Sequence, residues 1–109
     1  MRNVRETIAI TPIKVSEKVF MGQVVQYLRT VGWKVYHPWL SIKSAAGFPD
    51  LVCARAGRCC FIELKTEAGK ISAAQAEWGE ALAGVGGTVE YHLLRPTDQG
   101  WAFIEQTFR

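Results

Sequence analysis

Apolar positions along the chain change their period several times, and each change marks the passage from one element to the next. Phe20, Val24, Tyr27, Leu28 and Val31 recur at the three-to-four-residue spacing of a helix with one face in a core; Ser16 suits its N-cap and Gly32 its end. Trp33 to His37 then reads as a short strand, and Pro38 to Pro49 as a loop holding Trp39, Lys43, Ser44 and Gly47. A loop of about a dozen residues is long for a compact domain, which makes it a candidate for substrate contact. Leu51–Ala56 and Cys59–Lys65 are β-prone runs flanking Gly57-Arg58, a pair suited to a type II′ turn, so the pattern predicts a β-hairpin. From Ser72, the residues Ala74, Trp78, Ala81, Leu82 and Val85 predict a second helix that ends at Gly86-Gly87. Thr88 to Leu94 returns as a strand. Beyond Pro96, the apolar residues Trp101, Ile104 and Phe108 predict a short last helix packed on the sheet. Residues 1 to 15, interrupted by Pro12, read as a strand or an arm.

Composition narrows the class. With 109 residues and 49% of them hydrophobic, the chain has the size of one domain with one modest core. The expected division is an arm over 1–15, a core over 16–95 and a helical segment over 96–109. A formal net charge of +3 is compatible with nucleic acid but does not single it out. No run approaches the roughly 18 apolar residues that cross a bilayer, and the start lacks the apolar block of a signal peptide, so a cytosolic protein with no membrane partner is expected. Cys53, Cys59 and Cys60 lack paired CxxC spacing and are expected to be buried free thiols. His37 and His92 stand apart and are expected to be structural or solvent-facing.

The hairpin brings charged residues together. A two-residue turn at Gly57-Arg58 pairs Val52 with Glu63 and Asp50 with Lys65. Alternation then puts Asp50, Glu63 and Lys65 on one face and Leu51, Cys53, Cys60, Ile62 and Leu64 on the other. Asp50 and Glu63 become diagonal neighbours, roughly 7–8 Å apart between α-carbons, near enough to share one cation. Two carboxylates and a backbone carbonyl, that of Leu64, suit a hard divalent ion such as Mg²⁺ or Mn²⁺. Lys65 would stabilise charge that develops on a phosphate. The competing reading makes these residues surface carboxylates, with Lys65 in a cross-strand ion pair with Asp50. The joint pattern GFPD, twelve intervening residues, then ELK favours the site.

GFPD followed by FIELK resembles the PD-(D/E)xK nuclease superfamily. Together with the glycine of EAGKIS, the ISAAQ that opens a helix and the GG-TVEYHL strand, it resembles the virus-type replication-repair nuclease family, VRR-NUC, over roughly residues 16 to 95. The resemblance implies an α/β (α+β) restriction-endonuclease-like core, a mixed β-sheet flanked by helices, and Mg²⁺- or Mn²⁺-dependent cleavage of DNA. It implies Asp50, Glu63 and Lys65 as catalytic residues, with Asp50, Glu63 and the Leu64 carbonyl on the metal. It adds an acidic residue on the first helix, matched by Glu17, as a further metal ligand. The glutamine after ExK is matched by Gln75, which also fits a capping box begun at Ser72. Neither the arm before Ser16 nor the segment from Pro96 carries a family feature.

Small members of that family resemble junction-resolving enzymes, so branched DNA such as a Holliday junction is the expected substrate. A less selective, flap or single-strand endonuclease and a non-catalytic DNA-binding protein are the alternatives. Two cuts at a junction call for two centres, hence an expected homodimer paired through the arm up to Val15 or through Trp101, Phe103 and Phe108. Trp39, Phe48, Lys43 and Arg55 are candidate DNA contacts, set against core or solvated roles.

Overall fold

A computed structural model describes residues 14–38 and 45–109, which leaves the arm before Lys14, and Trp39, Lys43 and Ser44 of the loop, outside the described residues. Helix α1 (Glu17–Thr30) starts where Ser16 accepts a hydrogen bond from the Val19 amide at 3.1 Å, and it buries Phe20, Val24 and Leu28. Strands β1 (Lys34–Tyr36), β2 (Leu51–Arg55) and β3 (Arg58–Leu64) follow, then helix α2 (Ala73–Ala83), strand β4 (Val89–Leu94) and helix α3 (Asp98–Phe108). The four strands form one sheet in the order β1-β2-β3-β4. The first two pairings are antiparallel and β3–β4 is parallel. A parallel neighbour needs a crossover, which α2 provides. The architecture is a mixed sheet flanked by helices.

Strand β3 divides the molecule by simple alternation. Cys60, Ile62 and Leu64 point to one side and are buried there with Leu51 and Cys53 of β2, Leu94 of β4, Phe20, Val24 and Leu28 of α1, and Ile104 and Phe108 of α3. Side chains of this kind contribute about 1.5–3 kcal/mol each when fully buried, so this face carries most of the stability. Phe61 and Glu63 point to the other side, toward α2. There Phe48 packs edge-on against Phe61 and Trp78, with ring centres 6.1 and 5.0 Å apart, while Tyr91 lies against Gly79 of α2. Phe48 is therefore a packing residue.

The hairpin forms, but its turn is Ala56-Gly57 and not Gly57-Arg58. Both residues have positive φ, 49° and 83°, as a type I′ turn requires, and Arg55 pairs with Arg58 across it. The type I′ twist matches that of the flanking strands, and the glycine is used at the second central position. Moving the turn by one residue shifts the register by two: Leu51 faces Ile62 and Cys53 faces Cys60. A shift of two preserves alternation, so the expected division of faces stands although the expected partners do not. Helix α2 also stops earlier than expected, at Ala83 with Gly84 as its C-cap.

Helix α3 is tied down by its last carbonyls, groups that a helix cannot satisfy internally. Trp33 Nε1 donates to Phe108 at 2.7 Å, Arg58 Nη1 to Thr107 at 3.0 Å and Arg55 Nη2 to Arg109 at 2.7 Å. The Arg55 and Arg58 guanidinium carbons lie 4.7 and 5.0 Å from the centre of the Trp33 ring, and two cations at this end complement the helix dipole. Arg55 also donates to Val31 at 2.6 Å, so this candidate DNA contact is occupied in holding the fold. Trp101 packs against Phe20 and Tyr27, and Phe108 is fully buried. Of the three aromatics expected at a pairing surface, Phe103 alone is exposed, because the other two serve the core.

Alanine at a left-handed position is strained, whereas asparagine tolerates it. Ala56→Asn, which creates an Asn-Gly turn, should stabilise the protein by roughly 0.5–1 kcal/mol. Urea denaturation measures this, and a lowered midpoint would contradict the turn.

Candidate active site

Asp50 directly precedes β2, and Glu63 is the penultimate residue of β3. Continuing the register one step past Leu51–Ile62 sets Asp50 opposite Glu63, where a diagonal placement was expected. Asp50 Oδ2 accepts the Leu64 amide at 2.8 Å, which fixes its carboxylate at the end of the hairpin. The Lys65 amide donates across the sheet to Leu94 at 3.1 Å. A trans peptide sets a carbonyl opposite to the next amide, so the Leu64 carbonyl points to the Asp50 side. Gln75 caps its helix and also reaches Glu63. Its Oε1 accepts the Ser72 amide at 2.9 Å to close the capping box, and its Nε2 donates to Glu63 Oε2 at 3.0 Å. Glu17 opens α1 close enough to Asp50 and Lys65 to feel both charges; burial and then Asp50 raise its pKa, and Lys65 opposes them.

Glu63 is the buried charged residue of the described chain, 2% exposed. Burial first, then the charge of Asp50 and a hydrogen bond with it, push its pKa up to about 8, with Lys65 pulling the other way. Two neighbouring carboxylates, one of them out of water, repel each other once both are ionised. These residues fit a hard divalent cation, because all the donors are oxygens and a positive ion between them removes the repulsion. No ion pair of 4.0 Å or less joins Lys65 to a carboxylate among the described residues, so the competing reading of a Lys65–Asp50 pair does not hold.

Three supports were not read from the sequence. Gly47, at φ +82°, lets the GFPD segment touch the first turn of α2: an added Cβ would come within 2.4 Å of the Ala74 carbonyl carbon. Arg95 Nη1 donates to the Thr66 and Gly69 carbonyls at 2.8 and 2.7 Å, binding the turn that follows Lys65. Tyr91 stands near enough for Glu63 and Asp50 to raise its phenol's pKa, after burial. A glycine one residue after a loop's alanines, and an arginine just past a strand, carry no local signal of such contacts.

A second group of donors exists. Cys60, Glu90 and His92 bring their ligand atoms within 4.8 Å of one another, a set compatible with a divalent metal. It lies on the opposite face of the sheet, since Cys60 alternates with Glu63 on β3, and its residues were not chosen as a site from the sequence.

No family model and no curated protein sequence matches the chain. Solved structures do. One described as a "VRR_NUC domain" aligns at a TM-score of 0.70 with 22% identity, covering 86% of this chain and 100% of that one. A "VRR_NUC domain protein" aligns at 0.66 with 19% identity, covering 88% and 89%. The chain has the VRR_NUC fold. At these identities the likeness speaks for architecture alone. It agrees with the restriction-endonuclease-like mixed sheet expected from GFPD and FIELK. No helix among the described residues is long and apolar enough to cross a membrane.

A carboxyl group whose pKa is raised on folding, from 4.5 to about 8, withdraws stability as pH climbs through that interval. In EDTA, the wild type should therefore lose stability from pH about 4.5 to about 8, and Glu63→Gln, whose amide can donate to Asp50, should lose much less. Chemical denaturation across this pH range tests it. Added Mg²⁺ should restore the wild type at the alkaline end and leave the variant almost unchanged; identical pH profiles would refute the buried pair.

Proposed function

We propose that the protein is a metal-dependent endodeoxyribonuclease using Mg²⁺ or Mn²⁺, with Asp50, Glu63 and Lys65 as its catalytic residues. The observation that carries this reading is the placement of Asp50 opposite the buried Glu63 at the end of the hairpin, with Lys65 two residues beyond Glu63. Asp50, Glu63, the Leu64 carbonyl and Glu17 would hold the ion. When bound, it supplies Lewis acidity to the scissile phosphate and a lowered pKa to the attacking water. The chain's own residues do the rest. Gln75 holds the Glu63 carboxylate in one orientation, and the hydrogen bond to Leu64 does the same for Asp50. Lys65 sits where an ammonium stabilises negative charge growing on phosphate oxygens, and a preorganised charge of this kind acts mainly in the transition state. The N-terminus of α2, next to Gln75, offers backbone amides to a DNA phosphate.

The substrate in this reading is branched DNA such as a Holliday junction, cut by a homodimer that brings two centres to the two strands. Loss of Trp101 and Phe108 to the core leaves the surface around Phe103 as the described part of the pairing face originally expected. A cleavage assay with matched single-stranded, duplex, flap and four-way DNA decides the substrate. Preference for the four-way junction by a species of dimer mass is expected. Equal cleavage of all four by a monomer would replace the junction reading with a less selective nuclease, and cleavage of none would leave a DNA-binding protein.

Asp50→Asn and Glu63→Gln should abolish cleavage with the fold intact by circular dichroism. Lys65→Ala should lower the turnover rate by at least about a hundredfold, on the scale of removing one charge-stabilising group, and change DNA affinity little. Weak binding with normal turnover at saturation would make Lys65 a binding residue only.

A further inference from the structure

The sheet face opposite Glu63 carries a cluster that the nuclease reading does not use. Cys60 is fully buried on β3, and the parallel register sets Glu90 beside it, with His92 one alternation further along β4. Their ligand atoms lie within 4.8 Å of one another. Cys53 stands opposite Cys60 across the hairpin. His92 Nε2 is 2.9 Å from Glu90 Oε1, while Arg58 holds the same carboxylate through Nε at 2.7 Å and Nη2 at 2.8 Å. Phe103 and Phe108 enclose the imidazole, their ring centres 5.5 and 5.2 Å from it.

We propose that Cys60, His92 and Glu90, completed by Cys53, form a second metal site of a different chemical class, one that takes zinc. Sulfur and imidazole donors select a borderline-soft ion, whereas the all-oxygen set around Asp50 selects a hard one. A tetrahedral zinc site places its ligand atoms roughly 3–4 Å apart, so Cys60, His92 and Glu90 need only a small contraction, whereas Cys53, which is not within 4.8 Å of all three, must move further to complete the set. The ion takes the place of the proton between His92 Nε2 and Glu90 Oε1, a proton that leaves to solvent from a charged imidazole or moves to Nδ1 of a neutral one. His92 binds as neutral imidazole, and the two thiols release their protons to solvent. Two thiolates and one carboxylate then balance the charges of the zinc ion and of Arg58. Arg58 is not a rival for this carboxylate: hydrogen-bonded partners behind a ligating carboxylate fix its orientation. The site cross-links β2, β3 and β4 beneath the C-terminal end of α3, so its effect is structural and the inference does not rest on the nuclease reading.

Stripped protein given one equivalent of Zn²⁺ should retain it through desalting and unfold at a higher temperature. Co²⁺ in its place should produce a sulfur-to-cobalt charge-transfer band in the near ultraviolet, which an all-oxygen site cannot give. The band and the retained zinc should persist in Asp50→Asn and be lost in Cys60→Ser and His92→Gln, with His92→Gln deciding if the cysteine variant fails to fold. Absence of the band in the wild-type protein, or its survival in His92→Gln, would overturn the proposal.

Discussion

Asp50 and Glu63 are held against each other where Glu63 is almost wholly removed from water, an arrangement that works against itself whenever both are ionised. Much of the neighbouring structure keeps it in place. The type I′ turn sets the register that puts the two residues opposite each other. The Leu64 amide binds Asp50, and the closed capping box of α2 presents Gln75 to Glu63. Gly47 allows the GFPD segment and that helix turn to meet at backbone distance. Stability for this comes from elsewhere, from the dry face on which Cys60, Ile62 and Leu64 pack against α1 and α3.

One strand thus serves two chemistries. Odd positions of β3 face α2 and carry Phe61 and Glu63; even positions face the core and carry Cys60, Ile62 and Leu64. The same division separates the carboxylates of Asp50 and Glu63 from the cluster of Cys60, Glu90 and His92 on the other face. Arg58 connects the second cluster to the fold, since it holds Glu90 through two nitrogens and the Thr107 carbonyl through the third. Parallel pairing of β3 with β4 makes this possible by bringing Glu90 and His92 level with Cys60 and Ile62.

What the sequence determined by itself was local and periodic. Helical spacing from Phe20 to Val31, the capping residues Ser16 and Ser72, and the two-residue alternation of Asp50, Glu63 and Lys65 are properties of neighbours along the chain, and alternation survives even a misplaced turn. Partners across the fold were decided by tertiary structure alone. Ala56-Gly57 as a type I′ turn and Gly57-Arg58 as a type II′ turn both match strand twist, so the local sequence left the register open and the direct opposition of Asp50 and Glu63 was hidden. Arg95 on the 66–69 turn, Arg55 and Arg58 at the end of α3, and the meeting of Cys60 with His92 join residues from 26 to 54 positions apart, or strands whose parallel register no spacing announces. A sequence records which side chains are available at each position; which of them meet is settled when the sheet pairs and the helices close over it.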